Sequence, residues 1–181
     1  MGKLITRDRL VRWRVTNDLQ CPLCNVKEES IEHLFFKCTY AESIWRKLLQ
    51  WMGITRQAME RKHEIAWAYC HAKGRSANDE IYRMALAGCV YYVWQERNQR
   101  IFRAQQRQQG MIVKLIIQMI CGRGHMLPRL RRRLEEVFKA TKVKNIIDEK
   151  PTEEKNADVQ VKKKKKSQLV VVKSYQSIYF L

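Results

Sequence analysis

A run of potential metal ligands near the start of the chain limits its fold more than any other feature. Cys21 and Cys24 are separated by two residues, eight residues lead from Cys24 to His33, and four lead from His33 to Cys38. Two cysteines at this spacing can place both sulfurs on one metal through a tight turn whose backbone N–H groups are directed at the thiolates. Three sulfurs and one imidazole nitrogen suit tetrahedral zinc, with ligand distances of about 2.0 to 2.3 Å. The spacing therefore predicts a Zn²⁺ site.

The alternative is that these four residues fall at ligand spacing by chance and have ordinary core or surface positions. Two cysteines separated by two residues are weak evidence by themselves, but His33 and Cys38 close by make chance the poorer explanation. The spacing resembles the zinc knuckle of retroviral proteins, with a longer middle loop. Because four protein ligands leave no position for a water molecule, we expect a structural site and not a catalytic one.

The segments around the ligands predict short helices. One helix is expected over residues 4–15, and Ser30 can cap another that carries His33. An apolar stripe predicts a further helix from Tyr40 to Met52, ended by Gly53. A small metal module buries little apolar surface by itself, so it needs aromatic side chains as packing. We expect this role for Phe35, Phe36 and Trp45, with the stacking of a nucleobase as the alternative for either phenylalanine.

The chain up to about residue 141 has the period of helices. Apolar residues recur on one face over residues 79–108 and again over 111–121, and Pro128 opens an amphipathic, cationic helix. Arg97 and Asn98 interrupt the apolar face, which leaves open a hydrogen-bonded contact between helices or an exposed polar step. The expected fold class is mainly α, with a small N-terminal Cys3His zinc module followed by several helices and a disordered basic tail. The expected divisions are a zinc-binding module over 3–53, a helical region over 54–141 and a lysine-rich tail over 142–181.

Targeting signals and cysteines bear on the compartment in which the chain works. The first residues lack the apolar core of a signal peptide, and the apolar runs are far shorter than a membrane span. Six cysteines in such a sequence favour a reducing compartment, where metal binding is more common than disulfides. Cys70, Cys89 and Cys121 lie in apolar helical surroundings and are expected to be buried thiols. The run from Lys162 to Lys166 resembles a nuclear localisation signal, so the expected location is nuclear, or otherwise cytoplasmic.

The strong positive charge bears on the kind of partner. Thirty-six lysines and arginines against eighteen acidic residues give a net charge of +18, and the excess is spread along the whole chain. Such a field favours polyanions, nucleic acid first and anionic membrane surfaces second, although a merely soluble basic protein is the alternative. We expect RNA or DNA to bind without strong sequence preference, whereas the sequence specifies no protein partner. The candidate phosphate contacts are the cations nearest the metal segment, namely Arg9, Arg12, Arg14, Lys27 and Lys37.

The sequence gives little support for a catalytic role. None of its five aspartates is adjacent to another, so the paired carboxylates that hold two metals in a reverse transcriptase are missing. The sequence also lacks a glycine-rich phosphate loop, a G-x-S-x-G elbow and an H-E-x-x-H motif. We therefore expect no enzymatic activity.

Several runs of residues in combination are typical of one family. They are Lys3 to Leu10 (KLITRDRL), Cys21 to Cys24 (CPLC), Glu32 to Cys38 (EHLFFKC) with Glu29, Ile44-Trp45, and Trp94 to Phe102 (WQERNQRIF). Together they resemble the zinc-binding domain near the C-terminal end of plant non-LTR (LINE-type) retrotransposon reverse-transcriptase polyproteins. The resemblance covers roughly residues 3–105. It implies a metal site at Cys21, Cys24, His33 and Cys38, and descent from an element that handles nucleic acid.

Three hypotheses for function follow. The first is a nucleic-acid-binding module in which zinc orders the loop and cationic side chains contact phosphates. The second is a structural or protein-interaction fragment in which zinc only stabilises the fold. The third is a membrane-surface protein that acts through the helix over 128–139 and the lysine run.

Overall fold

The computed structural model of the protein describes residues 4–124 and 126–140, so the tail predicted over 142–181 lies outside the described residues. A π-helical turn over His33–Lys37 stands between the first two α-helices. The described part of the chain contains no β-strand, only an isolated antiparallel bridge between Gln20 and Glu28. The mainly α fold is confirmed. Its helices are α1 (Arg7–Arg12), α2 (Thr39–Trp51), α3 (Arg61–His71), α4 (Ala77–Arg103), α5 (Gln109–Gly124) and α6 (Pro128–Ala140).

Helix α5 lies at the centre of the hydrophobic core and packs against α2, α4 and α6. Its β-branched side chains fill the space between these helices: Ile112, Val113, Ile116, Ile117 and Ile120 are all buried. Where α4 crosses α5, a Cβ added to Gly88 would lie 2.9 Å from the Met119 side chain and 3.1 Å from that of Ile116. Glycine at this position therefore permits the close approach of the two helices. No described helix is long and apolar enough to cross a membrane.

Helix α2 joins the metal segment to this core. The helix predicted from Tyr40 to Met52 is found one residue earlier at each end, and Gly53 follows it with a φ of +75°, a conformation that glycine adopts without strain. Trp45 packs edge-on against Tyr82 of α4, and Trp51 packs edge-on against Phe138 of α6. One cluster of buried side chains thus continues from the metal segment into the later helices. The domain boundary near residue 53 stays a prediction.

The ends of α4 and α5 differ from the expected ones. Helix α4 begins two residues early because Ser76 and Asp79 form a reciprocal capping box: each side chain accepts the other's backbone N–H, at 3.2 and 3.1 Å. The helix ends five residues early, since Ala104 takes a left-handed conformation with a φ of 51°. Helix α5 then starts at Gln109, two residues before the expected start, so Gly110 lies in its first turn.

The buried side chain of helix α3 is a carboxylate. Its one buried residue is Glu64, which pairs with the Arg56 guanidinium and accepts a 2.6 Å hydrogen bond from the Tyr82 hydroxyl. Trp67 of the same helix packs against Tyr82, with ring centres 4.7 Å apart, whereas Cys70 is exposed. The prediction of a buried thiol is wrong for Cys70. It is right for Cys89, which is buried on α4, and Cys121 is half-buried.

These environments predict different reactivities for the three thiols outside the metal segment. Burial, together with the charge of Glu64, raises the pKa of Cys89 to about 12, so its reactive thiolate is scarce at neutral pH. Burial also raises the pKa of Cys121. With metal bound, we expect a thiol reagent at neutral pH to modify Cys70 first, Cys121 more slowly and Cys89 only on unfolding. Mass spectrometry of the labelled peptides measures the order, and equal rates at Cys70 and Cys89 would contradict it.

Candidate metal centre

The structure brings the four potential ligands of the sequence into one cluster. The ligand atoms of Cys21, Cys24, His33 and Cys38 all lie within 4.8 Å of one another. The Sγ atoms of Cys21 and Cys38 are 3.9 Å apart, and Cys24 Sγ is 3.3 Å from Nε2 of His33. In an ideal tetrahedral zinc site, two sulfurs are separated by about 3.8 Å and a sulfur and a nitrogen by about 3.5 Å. The cluster therefore has the size and donor set of a closed Cys3His zinc shell.

A tight loop positions the first two cysteines. The Cys21 N–H donates to the Lys27 carbonyl, and the Asn25 N–H donates to the Cys21 carbonyl, both at 2.8 Å. Asn25 follows the second cysteine with a φ of 53°, a left-handed conformation that asparagine tolerates better than most residues. The backbone N–H groups of Leu23 and Cys24 favour the Cys21 thiolate. The turn thus supplies the N–H groups that the spacing of the two cysteines predicts.

A π-helical turn brings the other two ligands together. Ser30 Oγ accepts the His33 N–H at 3.1 Å, which confirms the predicted cap. The Cys38 N–H then donates to the His33 carbonyl at 2.6 Å, a hydrogen bond across five residues. An α-helical turn aligns residues three and four apart, whereas His33 and Cys38 are five apart. The wider turn therefore accommodates the ligand spacing, and such turns are frequent at functional sites.

The last ligand lies at the start of α2. Cys38 is the N-cap residue of that helix, and the backbone N–H groups of Tyr40 and Ala41 in its first turn favour a thiolate. The hydrogen bond from the Cys38 thiol is the largest cause that lowers the pKa of Cys21 to about 5. The same contact, with burial, raises the pKa of Cys38. Two facing sulfurs that share one proton in this way offer a divalent cation a place to replace it.

A buried ion pair fixes the metal segment on α4. Glu29 and Arg97 are 0% and 3% exposed, and both Glu29 carboxylate oxygens accept from the Arg97 guanidinium, at 2.8 and 2.9 Å. Glu29 also accepts the backbone N–H of Arg7 at 2.8 Å, which satisfies a free donor at the start of α1. Arg97 was predicted to make either a hydrogen-bonded contact between helices or an exposed polar step; it makes a buried hydrogen-bonded contact, but its partner Glu29 lies in a loop and not on a helix. The pairing itself was missed, because its partners are 68 residues apart.

A second buried carboxylate organises the end of α4. Glu96 accepts hydrogen bonds from the side chains of Arg100 and Arg107, at 2.9 and 2.8 Å. Burial disfavours its charged form, but the backbone N–H and guanidinium of Arg107, together with Arg100, outweigh burial and lower the pKa of Glu96. Arg100 also donates to the carbonyls of Pro22 and Leu23, at 3.2 and 3.0 Å. These carbonyls belong to the turn between Cys21 and Cys24, so α4 holds that turn directly.

The five candidate phosphate contacts have different surroundings. Arg12, Arg14 and Lys27 are exposed, and the structure shows no ion-pair or hydrogen-bond partner for their side chains among the described residues. Lys37 is exposed and forms a 3.0 Å ion pair with Glu60. Arg9 is half-buried. The first three are therefore the side chains of this set that are most available to an anion.

The N-terminal part of the chain is similar to a known family of domains. Residues 1–45 match a family model described as zinc-binding in reverse transcriptase. The match spans all four ligands and Glu29, ends within α2, and confirms for this segment the resemblance to that zinc-binding domain. The narrower link to plant LINE-type elements stays a prediction. No curated protein and no solved structure matches the chain.

Proposed function

We propose that the chain is a zinc-binding module that binds nucleic acid, derived from a retrotransposon reverse-transcriptase polyprotein of the plant LINE type and without catalytic activity of its own. The observation that carries the proposal is the Cys3His cluster, whose four donor atoms lie within 4.8 Å of one another. Its size and its three sulfur donors suit Zn²⁺ over harder cations. A shell closed by four protein ligands leaves no position for an activated water, so the ion stabilises the fold and takes no part in a reaction.

The charge of the metal centre determines where a polyanion binds. Three thiolates around one Zn²⁺ carry a net charge of −1, so the centre itself repels phosphate. Nucleic acid must therefore be held by cations beside the module. Arg12 is the last residue of α1, Arg14 follows that helix, and Lys27 lies in the loop that carries the first two ligands; all three are exposed. They are the proposed phosphate contacts, with Arg9 and Lys37 as weaker candidates because of their burial and ion pairing.

We expect the affinity for a labelled oligonucleotide to fall steeply with salt. Each neutralised phosphate contributes a slope of about −0.7 to −0.9 in a plot of log affinity against log salt, because condensed counterions are released. Replacing Arg12, Arg14 and Lys27 together by Ala should flatten this slope by about 2 to 3, without loss of zinc. Fluorescence anisotropy of the full chain at several salt concentrations measures the slope, and metal analysis measures the zinc content.

The matched control replaces three other exposed cations, Arg131, Arg132 and Lys139 of α6, by Ala. It changes the net charge equally at a helix outside the module, so a similar effect of both triple variants would show non-specific attraction by the basic chain. A second control replaces Lys162 to Lys166 by Gln. Binding that depends on these five lysines and not on the module cations would overturn the proposal and leave the zinc module as scaffold only.

One observation favours the second hypothesis, a purely structural or protein-interaction role. The Trp94 to Phe102 run places Arg97 and Arg100 in internal contacts that hold the metal segment. These side chains stabilise the fold and are not available to a nucleic acid. An oligonucleotide titration without detectable binding at low salt would favour this role.

The membrane-surface hypothesis does not form part of the proposal. The apolar side chains with which α6 would enter a bilayer, Leu130, Leu134 and Val137, are already buried against the other helices. Insertion would therefore require the core to open. A nuclear location does form part of the proposal, and it rests on the run Lys162 to Lys166 alone.

A further inference from the structure

Among the described residues, Trp13 has the one exposed indole. Its side chain is 56% exposed, whereas Trp45 and Trp51 are buried and Trp67 and Trp94 are half-buried against the core. A large aromatic ring is costly to leave in water, since it is among the side chains that gain most from burial. The structure thus shows, at Trp13, an aromatic ring available for contact.

Two exposed arginines flank this ring in the chain. Arg12 and Arg14 have no ion-pair or hydrogen-bond partner that the structure shows for their side chains within residues 4–124 and 126–140. Arg14 also takes a left-handed conformation, with a φ of 57°, at the end of α1. There the Arg14 N–H donates to the Val11 carbonyl and the Val15 N–H to that of Leu10, each at 2.9 Å. Helices that end in this way usually have glycine at the left-handed position, so a cationic side chain is retained here at a conformational cost.

The other aromatic side chains near the metal are less suited to contact a ligand. Base stacking was left open for Phe35 and Phe36, but Phe35 is 6% exposed and Phe36 is half-buried against the core. Phe35 therefore has the packing role expected of it. Within the zinc module, an exposed ring between two exposed cations occurs at Trp13.

We propose that Trp13 is a stacking platform for an unpaired nucleobase, with Arg12 and Arg14 neutralising the phosphates on either side. The proposal rests on the proposed binding of nucleic acid and specifies its form, a single strand. Proteins that bind single strands combine cations that follow the backbone with aromatic rings on which bases stack. Charge complementarity favours this ligand over an apolar protein surface, because cations on both sides of the ring suit a chain of alternating bases and phosphates.

The test compares an oligothymidylate with a strand of the same length that carries abasic sites, using the zinc-loaded full chain and fluorescence anisotropy at one low salt concentration. Trp13→Ala should weaken binding of the intact strand about 5- to 150-fold, the loss expected for one stacked base. It should barely change binding of the abasic strand, and it should leave the salt slope and the zinc content unaltered. Trp13→Phe should recover part of the affinity, because a smaller ring can still stack.

Tyr69→Ala is the matched control. Tyr69 is 69% exposed on α3, and the Lys73 ammonium lies 5.0 Å from its ring centre, so that ring already has a cationic neighbour from the protein. Tyr69→Ala should therefore leave the ratio of the affinities for the intact and the abasic strand unchanged. If the wild type binds and Trp13→Ala leaves affinity unchanged, or weakens both strands equally, Trp13 is not a stacking platform, and its exposure then suits a protein partner. If the wild type binds neither strand, the proposed function itself fails.

Discussion

Removal of the metal is expected to unfold the N-terminal module. A structural zinc contributes about 10 to 16 kcal/mol in small peptide sites, which equals or exceeds the whole stability of a typical domain, about 5 to 15 kcal/mol. Because Cys38 is the N-cap residue of α2 and that helix supplies Trp45 and Trp51 to the common core, the loss should extend beyond the loop to the packing of these two indoles. We expect one zinc per chain, and a strong chelator should abolish the near-ultraviolet circular dichroism of the buried tryptophans.

Single cysteine replacements separate the ligands from the other thiols. Cys21→Ser should abolish zinc binding and lower the thermal stability to that of the chelated protein. Cys70→Ser is the matched control, since the chemical change is the same and Cys70 is an exposed thiol outside the cluster. It should retain one zinc and the wild-type stability. Stoichiometric zinc in the Cys21→Ser/Cys38→Ser double variant would refute the assignment of ligands.

Breaking the pair of Glu29 and Arg97 is expected to have the second largest effect. Glu29→Gln leaves the Arg97 guanidinium buried without a counter-charge, and loss of one partner from a buried ion pair typically costs about 3 to 5 kcal/mol. The neighbouring Glu28→Gln is the matched control, because Glu28 is exposed and the charge change is identical. Denaturant unfolding of both zinc-loaded variants measures the difference. Equal stability of Glu29→Gln and Glu28→Gln would show that the pair does not hold the module on α4.

Arg97→Lys gives a further test of the geometry. It keeps a positive charge beside Glu29 but cannot make the two parallel hydrogen bonds that the guanidinium makes at 2.8 and 2.9 Å. We expect a loss of stability between those of Glu28→Gln and Glu29→Gln. If Arg97→Lys is as stable as the wild type, a positive charge beside Glu29 is enough for full stability and the two parallel hydrogen bonds are not required.

Local patterns predicted the helices and the ligands because both depend on near neighbours in the chain. The spacing of Cys21 and Cys24 requires one turn, and the apolar stripe of α2 requires one buried face; the structure has both. The same patterns failed where a polar contact between residues distant in the chain determines which side chain is buried. Arg97 interrupts the apolar face of α4 because it meets Glu29, and the buried side chain of α3 is Glu64, which pairs with Arg56. A hydrophobic period carries no information about such partners.

The internal contacts of Arg97 and Arg100 determine which piece of the chain can be excised and still fold. A peptide ending near residue 53 would contain every metal ligand, yet its Glu29 carboxylate would have lost the Arg97 guanidinium. The carbonyls of Pro22 and Leu23, in the turn between the first two ligands, would have lost the hydrogen bonds from Arg100. An autonomous unit therefore extends at least beyond Arg107, whose side chain closes the contact with Glu96, and includes α5, which packs against both α2 and α4. Transplanting the metal site into another protein would require the distant half of α4 as well as the residues that bind the ion.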